Sequence, residues 1–221
     1  MIDFAQARKA MVDNQLRTSN VTDRRLLLAM GEVPREDFVA ATRNPIAYID
    51  DTHPLPGAVG RYLAAPAPFA KLIQLAGIGA GEHVLDLGCG NGYSAAVLAR
   101  LAGSVVAVEN DSSLIAAARL SLQRLGASNV TLIEGPPALG ARSKCPYDAI
   151  VIEGVVDAVP EALFAQLKAE GRLVALIAEG GRPPVAHLFA RSGRGIAARA
   201  EFDARLPPLA GGTPTRDEFV F

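Results

Sequence analysis

The chain has 221 residues, half of them apolar, which is enough to bury the core of one large α/β domain without metals or disulfides. Its 22 basic and 23 acidic residues give a net charge of −1, so the composition shows no bias towards nucleic acid or an anionic membrane. Cys89 and Cys145 lack metal-ligand spacing, which argues against a zinc site and a secreted disulfide scaffold. Neither a signal peptide nor a membrane span is indicated, and we expect a cytoplasmic protein without a bound metal.

The N-terminal part of the chain is predicted to be helical. Apolar residues recur at helical spacing over residues 4–16 and again over residues 26–30. Thr22 is the predicted N-cap of the second helix, and Pro34 is expected to end it. Residues 44–60 are rich in proline and glycine and are predicted to form an extended connector.

From Pro66 onward, helices alternate with short apolar strands. The predicted strands cover residues 83–87, 104–109, 130–134, 147–153 and 172–177, and the predicted helices cover 68–76, 95–100, 114–125 and a segment after Pro160. Such an alternation of β-branched runs and helices predicts a parallel sheet covered on both faces. Residues 185–190 and 196–202 are predicted to form a hairpin, and residues 219–221 a further strand.

The fold class predicted from these elements is α/β. We expect a doubly wound, mostly parallel Rossmann-like sheet with an antiparallel C-terminal edge and an N-terminal helical extension. The predicted division places the extension and connector in residues 1–60 and the ligand-binding domain in residues 61–221.

One glycine-rich turn is the main candidate for ligand binding. It follows the first strand of the predicted sheet and reads Asp86-Leu-Gly-Cys-Gly-Asn-Gly92. Ligands of open α/β sheets bind near this first strand–helix turn, and glycines there permit positive φ and close approach of a ligand to the backbone. Glu109 ends the next strand, where a carboxylate can accept hydrogen bonds from both ribose hydroxyls.

The spacing within this turn discriminates between ligands. A dinucleotide site requires a third glycine where the chain has Tyr93, and no Gly-Lys-Ser/Thr of a phosphate-binding loop follows. Asp86 would repel phosphates but would attract a ligand that carries an ammonium and a sulfonium. S-adenosylmethionine has both groups and is the favoured ligand, while a nicotinamide cofactor and a purely structural glycine turn remain alternatives.

Several motifs resemble those of the protein-L-isoaspartate O-methyltransferases over most of the chain. They are Met11-Val-Asp-Asn-Gln-Leu-Arg17, Val33-Pro-Arg-Glu-Asp-Phe-Val39, Val84-Leu-Asp-Leu-Gly-Cys-Gly-Asn-Gly-Tyr93 and Pro146-Tyr-Asp-Ala-Ile150. The resemblance implies a methyltransferase fold and methyl transfer from S-adenosylmethionine to isoaspartyl residues of damaged protein or peptide, as a step in repair. No nucleic-acid or membrane partner is expected.

The resemblance also implies a set of cofactor-binding residues. These candidates are Asp86, Gly88, Cys89, Gly90, Asn91, Gly92, Glu109, Asn110 and Gly135.

The chain departs from the family pattern at three places. Ala64 and Ala65 stand where the family carries Ser-Gln before a proline, so two polar side chains that could position a carboxylate are missing. Pro136 and Pro137 follow Gly135, where the family has Gly-Asp-Gly and its Asp accepts from the adenine amino group. Glu153 stands after the fourth strand, where the family has small residues.

Two residues are candidates for catalysis. Glu153 is interpreted as a general base or as a binder of a cationic substrate, and the alternative is a solvated carboxylate at a strand end. Arg61 is interpreted as a bidentate ligand of a substrate carboxylate, and the alternative is a surface arginine. The overall alternatives are a methyltransferase with another acceptor and a cofactor-binding protein without isoaspartyl activity.

Overall fold

The structure is a computed structural model that describes residues 2–178 and 180–209. Its strands in chain order are β1 (His53–Pro54), β2 (Tyr62–Leu63), β3 (His83–Leu87), β4 (Ser104–Glu109), β5 (Val130–Glu134), β6 (Tyr147–Val156), β7 (Leu167–Ile177), β8 (Val185–Ser192) and β9 (Gly195–Asp203). The α-helices are α1 (Phe4–Met11), α2 (Arg24–Glu32), α3 (Pro66–Ala76), α4 (Tyr93–Leu98), α5 (Ser112–Arg124) and α6 (Glu161–Phe164).

A single large sheet forms the centre of the described structure. Its strand order is β5-β4-β3-β6-β7-β8-β9, with parallel pairing from β5 to β7 and antiparallel pairing from β7 to β9. This confirms the predicted doubly wound sheet with an antiparallel C-terminal edge. The strand order reverses beside β3, so the turn after β3 lies at the point where ligands of such sheets bind.

Most predicted strands agree closely with the observed ones, but β7 begins at Leu167, five residues before the predicted start at residue 172. β6 continues three residues past the predicted end at residue 153, because pairing with β7 resumes at Val155 after a shift in register. The predicted Thr22 cap is wrong. Asp23 Oδ1 accepts from the backbone N–H of Arg25 and of Leu26 at 2.8 and 3.2 Å, whereas the backbone N–H of Thr22 donates to Gln74 Oε1 at 2.6 Å.

The N-terminal extension packs onto the sheet domain. Met11, Leu16 and Leu26 are almost fully buried and share one apolar cluster with Val84 and Val151 of the sheet. This common core stabilises the extension against the domain. The boundary at residue 60 remains a prediction.

The connector contains a feature that was not predicted. Its residues 53–54 pair antiparallel with residues 62–63, so that β1 and β2 form a two-stranded ladder. The backbone N–H of Leu55 also donates to the carbonyl of Arg61 at 2.9 Å. The ladder brings the turn before α3 next to the glycine-rich loop.

Residues 207–209 pair with the end of β6. The backbone of Val155 exchanges hydrogen bonds with Pro207 and Leu209, at 3.0 and 2.9 Å. A Cβ on Gly154 would lie 2.9 Å from the Leu209 nitrogen, so the segment can approach β6 only where a glycine stands. The strand predicted over residues 219–221 lies outside the described residues. Among the described helices, none has the length and apolarity that crossing a membrane requires.

Candidate active site

The glycine-rich loop has a backbone that requires glycine. Gly88, Gly90 and Gly92 have φ angles of +84°, +56° and +95°, all in the left-handed region. The amides of Gly88 and Cys89 donate to the carbonyl of Val108 at 2.8 and 3.3 Å, which fixes the loop to the end of β4. These contacts place the loop at the carboxyl ends of β3 and β4, as predicted.

Asp86 is fully buried just before this loop, on β3. Its Oδ2 accepts a 2.7 Å hydrogen bond from Ser94 Oγ, whereas Oδ1 has no partner within the described part of the chain. Burial raises the pKa of Asp86 to about 7, against the opposing effect of the Ser94 hydrogen bond, and the negative charge of Glu109 adds to the rise. An acid with one unsatisfied buried oxygen favours a cationic ligand.

Glu109 is also fully buried and lies at the end of β4. Three backbone amides hold its carboxylate: Gly90 N donates to Oε2 at 2.9 Å, and Asn110 N and Asp111 N donate to Oε1 at 2.9 and 3.1 Å. The carboxylate is thereby fixed at the mouth of the loop, where the sequence predicted a ligand of ribose.

Arg61 forms an ion pair with this same carboxylate. Its Nη1 lies 2.7 Å from Glu109 Oε1 and its Nη2 lies 2.6 Å from Oε2. The guanidinium also donates to the Gly88 carbonyl at 3.2 Å and to Asn110 Oδ1 at 3.3 Å. Arg61 is 6% exposed, so the alternative of a surface arginine is wrong.

Two cavities are lined by residues that contact Arg61, one by Asn110 and the other by Gly88. The larger, of about 330 Å³, is bounded by the turn after β5 and the end of β6, with Leu87, Asn110, Pro136, Pro137, Asp157 and Leu209 among its lining residues. The smaller, of about 20 Å³, lies between the glycine-rich loop and the turn before α3. Leu209 packs so closely on Gly88 that a Cβ there would lie 2.2 Å from Leu209 Cδ1.

Glu153 faces the smaller cavity, together with Leu63 and Ala64. Its Oε1 is buried and has no hydrogen-bond partner within residues 2–178 and 180–209. Burial raises the pKa of Glu153 well above its usual range, and the negative charge of Asp86 adds to the rise. The alternative of a solvated carboxylate at a strand end is therefore not what the structure shows.

The remaining predicted cofactor residues have structural contacts of their own. Asn91 Nδ2 donates to the carbonyl of Phe38 at 2.8 Å, which links the loop to the N-terminal extension. Gly135 donates its amide to the carbonyl of Glu109 at 2.9 Å. Cys89 is buried, and burial raises the pKa of its thiol well above the usual range, so it is not an activated nucleophile. No cluster of His, Cys, Asp and Glu that could hold a metal is found among the described residues.

Arg35 is a residue of this region that sequence reasoning did not assign. It is completely buried, and its Nη2 donates to the carbonyl of Ala64 at 2.5 Å while its Nε donates to that of Ala47 at 2.8 Å. Arg35 therefore fixes the backbone of the turn before α3 by hydrogen bonding to its carbonyl group. Arg35 lies in the motif of residues 33–39 that resembles the isoaspartyl methyltransferases, and this resemblance is the sequence signal that could have identified it.

Comparisons with known proteins agree with this arrangement. The family model described as protein-L-isoaspartate(D-aspartate) O-methyltransferase matches residues 6–210. The chain belongs to this family. A protein-L-isoaspartate O-methyltransferase of Koribacter versatilis is 38% identical over 94% of the chain and 92% of that protein, and one of Methylorubrum extorquens is 38% identical over 97% and 93%.

Solved structures show the same fold. A protein-L-isoaspartate O-methyltransferase structure has a TM-score of 0.82 and 29% identity, and the alignment covers 92% of this chain and 66% of the other. A Plasmodium falciparum structure, titled as a putative member of the same family, has a TM-score of 0.75 at 21% identity over 91% and 97% of the two chains, and supports the fold alone. Family and fold together identify the chain as an S-adenosylmethionine-dependent methyltransferase.

Proposed function

We propose that the chain methylates the α-carboxyl group of isoaspartyl residues in damaged proteins, as a step in their repair. The observation that carries the proposal is the match of the isoaspartyl methyltransferase family to residues 6–210, which includes the N-terminal extension as well as the cofactor-binding sheet. Residues that would face the acceptor line a cavity between the glycine-rich loop and the turn before α3, which measures about 20 Å³, the size of one water, and has to widen before an acceptor can enter. An acceptor bound there would lie beside Glu153.

The residues of the loop fit S-adenosylmethionine. Oδ1 of Asp86, which has no partner among the described residues, is a buried acceptor for an ammonium group, and Glu109 is a fixed acceptor for ribose hydroxyls once Arg61 turns away. The larger cavity, with Asn110 and Pro136 in its wall, is open to the adenine base. When bound, S-adenosylmethionine supplies an activated methyl group on a sulfonium. Cys89, Asn91 and Gly135 would contribute through the backbone shape of the site.

Methyl transfer to a carboxylate makes modest chemical demands on the protein. A carboxylate oxygen is already a nucleophile and needs no general base, so the protein has to position it in line with the methyl group and exclude water. Ala64, whose carbonyl accepts from Arg35, is one of the residues that line the smaller cavity. The missing hydroxyl and amide at Ala64 and Ala65 leave this positioning to other groups.

Glu153 can replace one of the missing donors. Its raised pKa favours the protonated carboxyl, which donates a hydrogen bond and does not repel an acceptor carboxylate. Asp86 contributes to this state, because its negative charge adds to the effect of burial in raising the pKa of Glu153. We therefore assign Glu153 the task of binding the acceptor carboxyl.

A second candidate function follows from the same residues. Ala64 and Ala65 present no polar side-chain atoms, and an ionised Glu153 would attract a cationic acceptor or remove a proton from a neutral one. The acceptor would then be an amine or a hydroxyl rather than a carboxylate.

A methyl-transfer assay on two peptides distinguishes these candidates. The first peptide contains isoaspartate, and the second is its normal aspartyl twin. Turnover selective for the isoaspartyl peptide supports the proposal. Equal turnover of both, or turnover only of amine-containing peptides, contradicts it and supports the second candidate. Measuring the rise in S-adenosylhomocysteine makes the readout independent of the ester's lifetime.

A further inference from the structure

The carboxylate of Glu109 has no capacity left for another ligand. It accepts from the amides of Gly90, Asn110 and Asp111 and from two nitrogens of Arg61, at 2.6–3.1 Å. An ionised carboxylate offers about four lone-pair sites, and five donors already occupy them. Ribose hydroxyls cannot bind Glu109 while Arg61 remains in place.

We propose that Arg61 exchanges partners during the reaction: it occupies the ribose subsite of the cofactor-free protein, and the cofactor releases it to bind the acceptor's carboxylate. The exchange has two parts: the ribose half, in which the cofactor displaces Arg61 from Glu109, and the acceptor half, in which the released Arg61 binds the acceptor's carboxylate. The acceptor half rests on the proposed function, whereas the ribose half does not. Arg61 is then a specificity-determining residue for acceptors that carry a carboxylate.

The donors around Glu109 differ in their ability to move. Three are backbone amides of the loop and of the turn after β4, which are fixed by the fold. Arg61 belongs to a separate segment, where its backbone carbonyl accepts a 2.9 Å hydrogen bond from Leu55. Its guanidinium is carried on a flexible aliphatic chain with several rotatable bonds. Its two further contacts, at 3.2 and 3.3 Å, are longer than those to Glu109. Arg61 is therefore the donor that ligand binding can displace.

The position of Arg61 also provides its second partner. Tyr62, Leu63 and Ala64 follow it directly and line the smaller cavity, where the acceptor is proposed to bind. A guanidinium that leaves Glu109 needs a new anion, because a partly buried charge without a partner is costly. A carboxylate is the anion that a guanidinium binds with two parallel hydrogen bonds.

The exchange couples the binding of the two ligands. Arg61 lowers the affinity for the cofactor, because the cofactor has to displace an ion pair, and only the cofactor-bound protein offers Arg61 to an acceptor. By thermodynamic reciprocity, a carboxylate that captures Arg61 strengthens cofactor binding by the same factor. A mobile arginine thus couples the two ligands, so that each binds more tightly when the other is present.

Calorimetry with S-adenosylhomocysteine and no acceptor tests the ribose half. Arg61→Gln is expected to bind S-adenosylhomocysteine about tenfold more tightly than the wild type, since the competitor is gone. Arg199→Gln is the matched control, because Arg199 pairs with Glu201 on the exposed edge strand β9. The affinity of this variant for S-adenosylhomocysteine should equal that of the wild type. Weaker or unchanged binding in Arg61→Gln overturns the ribose half.

Two further measurements complete the test. Circular dichroism shows whether Arg61→Gln is folded. If it is not, Arg61→Lys, which keeps the charge but not the bidentate contact, is expected to bind the ligand about threefold more tightly, and unchanged or weaker binding overturns the proposal. With the isoaspartyl peptide, Arg61→Gln should raise KM about tenfold with a smaller change in kcat. An unchanged KM overturns the acceptor half, whereas absence of wild-type turnover contradicts the proposed function and that half together.

Discussion

Ser94 Oγ donates a 2.7 Å hydrogen bond to Oδ2 of Asp86, while Oδ1 of the same carboxyl has no partner in the described part of the chain. The carboxyl is half satisfied in the cofactor-free protein, and burial raises its pKa to about 7. The cofactor's ammonium group is the missing partner in our proposal. Such a contact ties cofactor binding to the ionisation of Asp86.

The affinity for S-adenosylhomocysteine should therefore increase with pH. An acid with a raised pKa holds its proton below that pKa, and the ammonium group binds the ionised form better. Between pH 5.5 and 7 the affinity should rise by up to about tenfold per pH unit, and it should level off above pH 7. Calorimetry across this range measures the slope.

Asp86→Asn provides the control for this pH dependence. The amide oxygen can still accept from Ser94, but the side chain does not titrate, so the affinity should be low and independent of pH in this window. A slope that persists in Asp86→Asn would assign the titration to another group.

Glu109 should contribute to cofactor affinity in a measurable way once Arg61 no longer competes. In the Arg61→Gln background, Glu109→Gln is expected to weaken S-adenosylhomocysteine binding by about 1.5–3 kcal/mol, the range for hydrogen bonds to a charged group. Calorimetry on the single and double variants gives the difference. An equal affinity of the two would remove Glu109 from the ribose subsite.

Recognition of the adenine base should be weak. Pro136 and Pro137 line the larger cavity and provide neither a side-chain acceptor for the adenine amino group nor a backbone N–H. The inosine analogue of S-adenosylhomocysteine should bind within roughly tenfold of the natural compound, or about 1.4 kcal/mol. A much larger preference for adenine would point to Asn110 or Asp157, whose side chains also line this cavity, and alanine variants of each would identify the acceptor.

The parallel strands of the sheet were predictable because short apolar runs between helices have a strong local signal. Residues 83–87, 104–109 and 130–134 are short and mostly apolar runs, the last two rich in β-branched residues, and the observed bounds of β3, β4 and β5 agree with the prediction at both ends. The glycine-rich turn was predictable for a similar reason, since positive φ angles at closely spaced positions leave a clear pattern of glycines.

The contacts that decide the state of the site were not predictable from local pattern. Arg61 and Glu109 are 48 residues apart, and nothing in either segment encodes their pairing. Arg35 was missed because an arginine is normally exposed, whereas here it is buried and donates to one carbonyl of the connector and one of the turn. The ladder of β1 and β2 has two residues per strand, too few for any periodicity to appear.

Substitutions at Glu153 separate the two roles considered for this residue. In our proposal the carboxyl is protonated and donates a hydrogen bond to the acceptor, a task that the amide of Glu153→Gln can also perform. Glu153→Gln should therefore keep the isoaspartyl turnover within about fivefold, whereas Glu153→Ala should lose on the order of a hundredfold, the cost of one preorganised polar contact. The kcat of both variants with the isoaspartyl peptide measures this difference.

An ionised Glu153 acting as a base would give a different pattern. Glutamine cannot accept a proton, so Glu153→Gln and Glu153→Ala would then be impaired alike, and wild-type kcat would rise with pH as the carboxyl loses its proton. In the proposed role kcat changes with pH in the opposite direction. The carboxyl of Glu153, whose pKa is raised, is protonated and able to donate at lower pH, and kcat falls as the pH rises through that pKa. A wild-type kcat that falls with pH beside a Glu153→Gln kcat that does not change would assign Glu153 as a protonated donor to the acceptor carboxylate.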